Sequence, residues 1–199
     1  MPQINVARRE VLCKLVYYGP GLSGKTTNLE VIHKKAPVEK RGPLTNVATQ
    51  GERTLFFDFM ALDLGSVGGL KVKLQLYTVP GQAYYEATRR LVLQGVDGVV
   101  FVADSQADQQ EANLESLRDL QEQLRGQGVE LRALPHVLQW NKRDMPGALP
   151  IEELDEALNP CGAPSFEAVA VTGEGVFPTL RMLAQLVLEQ LKLWSPNWD

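Results

Sequence analysis

Residues 11–18 (VLCKLVYY) form an apolar run of β-formers about one strand long, which stops at Gly19-Pro20-Gly21. Such a run predicts a strand entering a tight loop. Residues 25–35 carry Leu29 and Ile32 among polar positions and are closed by Pro37, which predicts a helix. From 37 to 53 no period is sustained, so a long loop is expected there, and loops of that length are usually functional or mobile. Residues 54–64 and 70–79 read as strands, and the Gly65-Ser66-Val67-Gly68-Gly69 connection makes them an antiparallel hairpin.

After Pro80-Gly81 a helix is expected at about 84–93. Residues 96–104 (VDGVVFVAD) then form the near-continuous apolar run of a parallel strand covered on both faces. Leu114, Leu117, Leu120 and Leu124 place an apolar stripe on a helix over 108–125. Strands at 134–140 and 166–171 and a final helix over about 176–193 complete the alternation. The order predicts an α/β fold: an open, mostly parallel six-stranded sheet with one antiparallel edge strand and helices on both faces. Ligands of such sheets lie at the carboxyl ends of the strands, where the strand order reverses.

Composition narrows the function. The 199 residues suit one domain spanning 1–199, and 20 Lys and Arg against 24 Asp and Glu give a net charge of −4. This surface lacks the basic footprint of a nucleic-acid binder. No apolar stretch approaches the roughly 20 residues of a membrane span, and no signal core begins the chain. Pro2 stands where N-myristoylation needs glycine and SPNWD offers no prenylatable cysteine, so no direct membrane anchor is expected. Cys13 and Cys161 read as reduced thiols in a cytoplasmic protein.

The chemistry begins at Gly19-Pro20-Gly21-Leu22-Ser23-Gly24-Lys25-Thr26, which fits the spacing G-x-x-x-x-G-K-[ST] between a predicted strand and a predicted helix. Its amides and the following helix N-terminus, with Thr27 in the first turn, are expected to cradle phosphates. Lys25 supplies charge for the β and γ phosphates, and the Thr26 hydroxyl is placed to ligate Mg²⁺.

Asn141-Lys142-Arg143-Asp144 follows a strand at the same sheet edge. The Asp144 carboxylate can accept two parallel hydrogen bonds from guanine, a donor pair adenine lacks. Asn141 is expected to address the purine's other edge. The Lys142 stem is expected to lie along the base while its ammonium reaches toward the phosphate loop. Glu167-Ala168-Val169-Ala170 ends the next β segment, with the Ala170 amide available to the guanine oxygen. Thr78-Val79-Pro80-Gly81-Gln82 leaves another strand end. Gly81 there lets backbone approach a terminal phosphate, and the Gln82 amide can orient an attacking water. Thr54 closes the long loop with a hydroxyl for Mg²⁺, and Arg53 can set a guanidinium over the phosphoryl oxygens.

With GPGLSGKTTN, ERTLFFDF, YTVPGQ followed by two tyrosines, GVDGVVFVADS and NKRD in place, the chain resembles the small Ras-like GTPases over nearly its whole length, and among them the bacterial MglA family. The resemblance implies a P-loop NTPase with a Ras-like G domain that binds GTP and GDP with Mg²⁺. It implies slow hydrolysis using Gln82 and an arginine in cis, here Arg53, assisted by a roadblock-type partner, MglB. It further implies nucleotide-dependent control of cell polarity and motility through effectors, with recruitment to a cell pole through partners. Most small GTPases have aspartate at the position of Thr78, and threonine marks the MglA group. A neutral hydroxyl holds a hydrated cation less strongly than a carboxylate. A substitute carboxylate is therefore sought in Asp58 or Asp63, both in an apolar β segment where unpaired charge is costly.

Two other classes compete. A GTP-binding interaction module with little hydrolysis would leave Gln82 and Arg53 without a purpose. An ATP-dependent nucleotide kinase would need a lid or acceptor domain and no base-reading carboxylate.

Overall fold

The computed structural model describes residues 3–48 and 56–194. Its strands are β1 (Gln3–Asn5), β2 (Glu10–Tyr18), β3 (Thr45–Ala48), β4 (Phe56–Val67), β5 (Leu70–Thr78), β6 (Gly98–Asp104), β7 (His136–Asn141) and β8 (Ser165–Glu167). The helices are α1 (Lys25–Lys35), α2 (Glu86–Leu93), α3 (Gln110–Arg125), α4 (Ile151–Leu158) and α5 (Val176–Trp194). The sheet order is β3-β4-β5-β2-β6-β7-β8, with β1 paired to β2.

From β5 to β8 every neighbouring pair is parallel. β4 runs antiparallel to β5 as the hairpin pattern predicts. Among the described residues the expected six strands become eight because β1 and β3 are added, and both pair antiparallel. β3 lies inside the stretch expected to be loop. Its sequence TNVA has no buried alternation, and its place comes from the register Thr45↔Phe59 to Ala48↔Phe56 on β4. A strand held by its neighbour's edge rather than by its own pattern leaves no periodic signal. The strand expected at 166–171 is also shorter, because the chain turns after Glu167 to reach the site.

Alternate residues of the sheet face two cores. Leu15, Leu74, Val100 and Val102 pack with Leu29 and Ile32 of α1 and Leu180, Leu183 and Val187 of α5. Val16, Val99, Phe101 and Trp140 pack with Leu117, Leu120 and Leu124 of α3 and Leu154 and Leu158 of α4. All seven residues of β6 are buried, as expected for a strand covered on both sides. The strand order reverses beside β2, so the loops after β2, β5, β7 and β8 gather at one end.

Candidate functional site

The loop from Gly19 to Gly24 joins β2 to α1. Gly24 caps α1 at φ 100°, and a Cβ there would lie 2.2 Å from the Asn141 side-chain nitrogen. Only glycine fits both demands. No side chain caps this helix start and no acidic residue occupies its first turn, so its amides and positive end stay available to an anion. Leu22 adopts φ 62° at the loop tip and is 89% exposed.

Lys25 is buried, and its Nζ donates to the carbonyl oxygens of Gly19 at 2.9 Å and Pro20 at 2.5 Å. Burial, and then the positive charge of Arg89, pull its pKa down to about 7, against the opposing pull of Asp58. Such a lysine gains strongly from a polyphosphate beside it.

Asp58 is 6% exposed and lies on β4. Its Oδ2 accepts hydrogen bonds from Thr26 Oγ1 at 2.6 Å and Thr78 Oγ1 at 2.8 Å, and its Oδ1 accepts from Asn46 Nδ2 at 2.9 Å. The carboxylate thus stands between Thr26 of the phosphate loop and Thr78 at the end of β5. Asp63 does not share this place. It lies opposite Lys73 at a bulge and accepts from the Gly65 amide, which corrects its place as a candidate substitute. Residues 58 and 63 are separated by an odd number of positions and face opposite sides of the strand.

Three hard oxygen atoms converging at the start of α1 suit Mg²⁺, which also takes phosphate oxygens. Among the described residues no group of three His, Cys, Asp or Glu could hold a metal alone. This donor set therefore fits an ion shared with a nucleotide.

At the other end, Asn141 is 2% exposed. Its Nδ2 donates to the Ser23 carbonyl at 2.7 Å, and its Oδ1 accepts the Ala170 amide at 2.9 Å. Asn141 and Ala170, expected to contact the base separately, bond to each other, and Asn141 ties that segment to the phosphate loop. Lys142 turns through φ 64°, and its Nζ reaches Asp104 Oδ2 at 2.5 Å rather than the phosphate loop, which corrects that expectation. Asp104 ends β6 and is almost fully buried, so it needs this cation. Arg143 holds the turn on Glu167 and the Leu149 carbonyl, leaving Asp144 exposed beside it. Val169 is buried just before Ala170.

Phosphate loop, β5 end and NKRD turn thus meet at one sheet edge. Residues 4–187 match the profile of the ADP-ribosylation factor family. The chain belongs to this family. It is 54% identical over 192 residues to the mutual gliding-motility protein MglA of Myxococcus xanthus, covering 96% of this chain and 98% of that protein. It is also 30% identical over 186 residues to the mouse ADP-ribosylation factor-like protein 4D, covering 89% and 84%. As a family member of the MglA type it is a GTP-binding small GTPase, an enzyme and a switch, and such GTPases generally bind their nucleotide with Mg²⁺.

The segment expected to face the γ-phosphate carries Gly81 and Gln82. A Cβ on Gly81 would lie 2.1 Å from the Gly21 nitrogen, so this segment rests on the phosphate-loop backbone. Gln82 is exposed and begins a short 3₁₀ turn into α2. Arg53 and Thr54 lie outside the described residues. Among the described residues no helix is long and apolar enough to cross a membrane.

Pattern reading missed the buried amide pair Asn28 and Gln139. Asn28 Nδ2 donates to Gln139 Oε1 at 2.8 Å and to the Gly24 carbonyl at 2.9 Å, while Gln139 Nε2 donates to Asn28 Oδ1 and Thr179 Oγ1. A glutamine inside the apolar strand HVLQWN was the available signal, since a buried polar side chain requires a partner. The pair locks α1, β7 and α5 behind the phosphate loop.

Proposed function

We propose that the chain, as one G domain over 1–199, is a slow GTP-hydrolysing switch that controls cell polarity or motility through nucleotide-dependent partners. Support for the process comes from its 54% identity to a gliding-motility protein along nearly the full length of both chains. Support for the site comes from one observation above all: Asn141 bonds the phosphate loop and the Ala170 segment together, so two ligand-reading loops share one anchor.

In this reading Gly19 to Thr27 hold the phosphates and Asp144, Val169 and Ala170 hold guanine. Asn141 and Lys142 hold these loops in place. Thr26 and Thr54 would hold Mg²⁺, with Asp58 supplying the carboxylate that Thr78 lacks. When bound, Mg²⁺ would supply positive charge against the β and γ phosphates. Gln82 orients the attacking water through one donor and one acceptor, and Arg53 offsets charge on the transferring phosphoryl group. Both loops that carry them answer to the γ-phosphate.

A roadblock-type, MglB-like partner is the proposed activator, and the exposed Tyr84, two residues after Gln82, and Phe56, stacked on Tyr85, suit a protein contact. Recruitment to a pole follows such partners. Single-turnover hydrolysis of GTP, with and without that partner, tests the reading. Slow intrinsic turnover that the partner accelerates supports it. No turnover in either case leaves a GTP-binding module and overturns it.

A further inference from the structure

Arg89 of α2 is only 6% exposed and belongs to no motif of the nucleotide site. Its Nε donates to Asp119 Oδ2 at 2.7 Å. Its Nη1 donates to the Gln82 carbonyl at 2.5 Å and, over a longer 3.4 Å, to the Pro80 carbonyl. One planar guanidinium therefore grips both residues that flank Gly81, the glycine lying on the Gly21 amide.

The other side of the grip is fixed. Asp119 Oδ2 also accepts the Tyr18 hydroxyl, and Tyr18 is the last residue of β2, immediately before the phosphate loop. Gln123, one turn further along α3, donates to Asp119 Oδ1 at 3.3 Å. The path runs from β2 through α3 to the backbone carrying Gln82. Arg89 lies close enough to Lys25 for its charge to act on that ammonium, which sets the grip beside the phosphate loop.

We propose that Arg89 is a positioning residue for GTP hydrolysis, fixing the peptide planes around Gly81 so that Gln82 holds the attacking water, with Asp119 and Tyr18 as its anchor. This rests on the reading of Gln82 given above. A guanidinium is required because separate nitrogens serve the carboxylate and the carbonyls at once. A lysine ammonium is a point charge without that fork.

The test uses the full chain in partner-free single-turnover hydrolysis, alongside GDP affinity from a fluorescent nucleotide. Arg89→Lys is expected to slow hydrolysis about ten-fold while GDP affinity changes less than about two-fold, because the loss falls on the transition state. Asp119→Asn is expected to slow it about three-fold, and it serves the same purpose if Arg89→Lys does not fold. In a Gln82→Ala background neither change should slow hydrolysis further, since a positioning residue has no effect once its target is gone. The proposal is overturned if Arg89→Lys, or Asp119→Asn in its place, turns over at the normal rate. It is equally overturned if the losses multiply with Gln82→Ala, or if GDP binding falls as far as hydrolysis. Gln82→Ala hydrolysing at the normal rate overturns the role of Gln82 itself, and the positioning claim with it.

Discussion

Thr78 and Asp58 exchange two hydrogen bonds across the β4–β5 pair: the Thr78 hydroxyl donates to Asp58 Oδ2 at 2.8 Å, and the Asp58 amide donates to Thr78 Oγ1 at 3.0 Å. A carboxylate one strand over is thus bound to the hydroxyl at position 78. Asp58→Asn is expected to raise the Mg²⁺ concentration needed for tight GTP binding by about ten-fold or more, the usual effect of losing a ligand-orienting partner. Thr78→Asp should not tighten Mg²⁺, because it sets a second carboxylate against the first. Metal titrations of nucleotide release in both variants check this.

Asp144→Asn should weaken GTP roughly ten- to hundred-fold and improve xanthosine triphosphate, since the amide matches the altered base edge. Competition binding of the two nucleotides gives the answer. An unchanged preference would remove Asp144 from base reading.

Gly81→Ala forces a methyl to within 2.1 Å of the Gly21 nitrogen, so the segment carrying Gln82 must lift off the phosphate loop. Hydrolysis should fall by about a hundred-fold, the penalty of roughly an ångström's misplacement, while GDP affinity is largely kept. Single-turnover rates and GDP titration separate the two effects.

Gln139→Leu leaves the buried Asn28 Oδ1 without its donor and should lower stability by about 1–3 kcal/mol. For a chain of this size each kcal/mol corresponds to roughly 2–4 °C of melting temperature. Calorimetric unfolding of the two proteins measures it.

Cys13 is fully buried, and burial, with help from Asp97, pushes its thiol up to about 12, whereas Cys161 is exposed. At pH 8 an aromatic disulfide reagent should therefore titrate one thiol per native chain and two after denaturation, because the thiolate is the nucleophile. Two fast thiols in the native protein would show that β2 is less protected than its packing implies.

Parallel strands, helices and phosphate loop were readable because each rests on a local signal: apolar runs in VLCKLVYY and VDGVVFVAD, a leucine stripe in α3, glycines at fixed spacing. β3 was not, since its place is dictated by an edge of β4 distant in sequence. The choice between Asp58 and Asp63 also required the fold: both lie in one apolar strand, and only the register shows which meets Thr26. Lys142 misled for a related reason. Its preference for a phosphate or for Asp104 depends on a buried charge 38 residues away, which no spacing reveals.

Asn141 spends both ends of one amide on two separate loops, and this governs how a ligand is felt. Nudging the purine tugs on the cradle beneath the phosphates, and squeezing the phosphates realigns the purine seat. Guanosine and pyrophosphate offered as fragments should each grip feebly, far below what their covalent union achieves, because the linkage that makes the halves cooperate lies within the receptor as well as within the nucleotide.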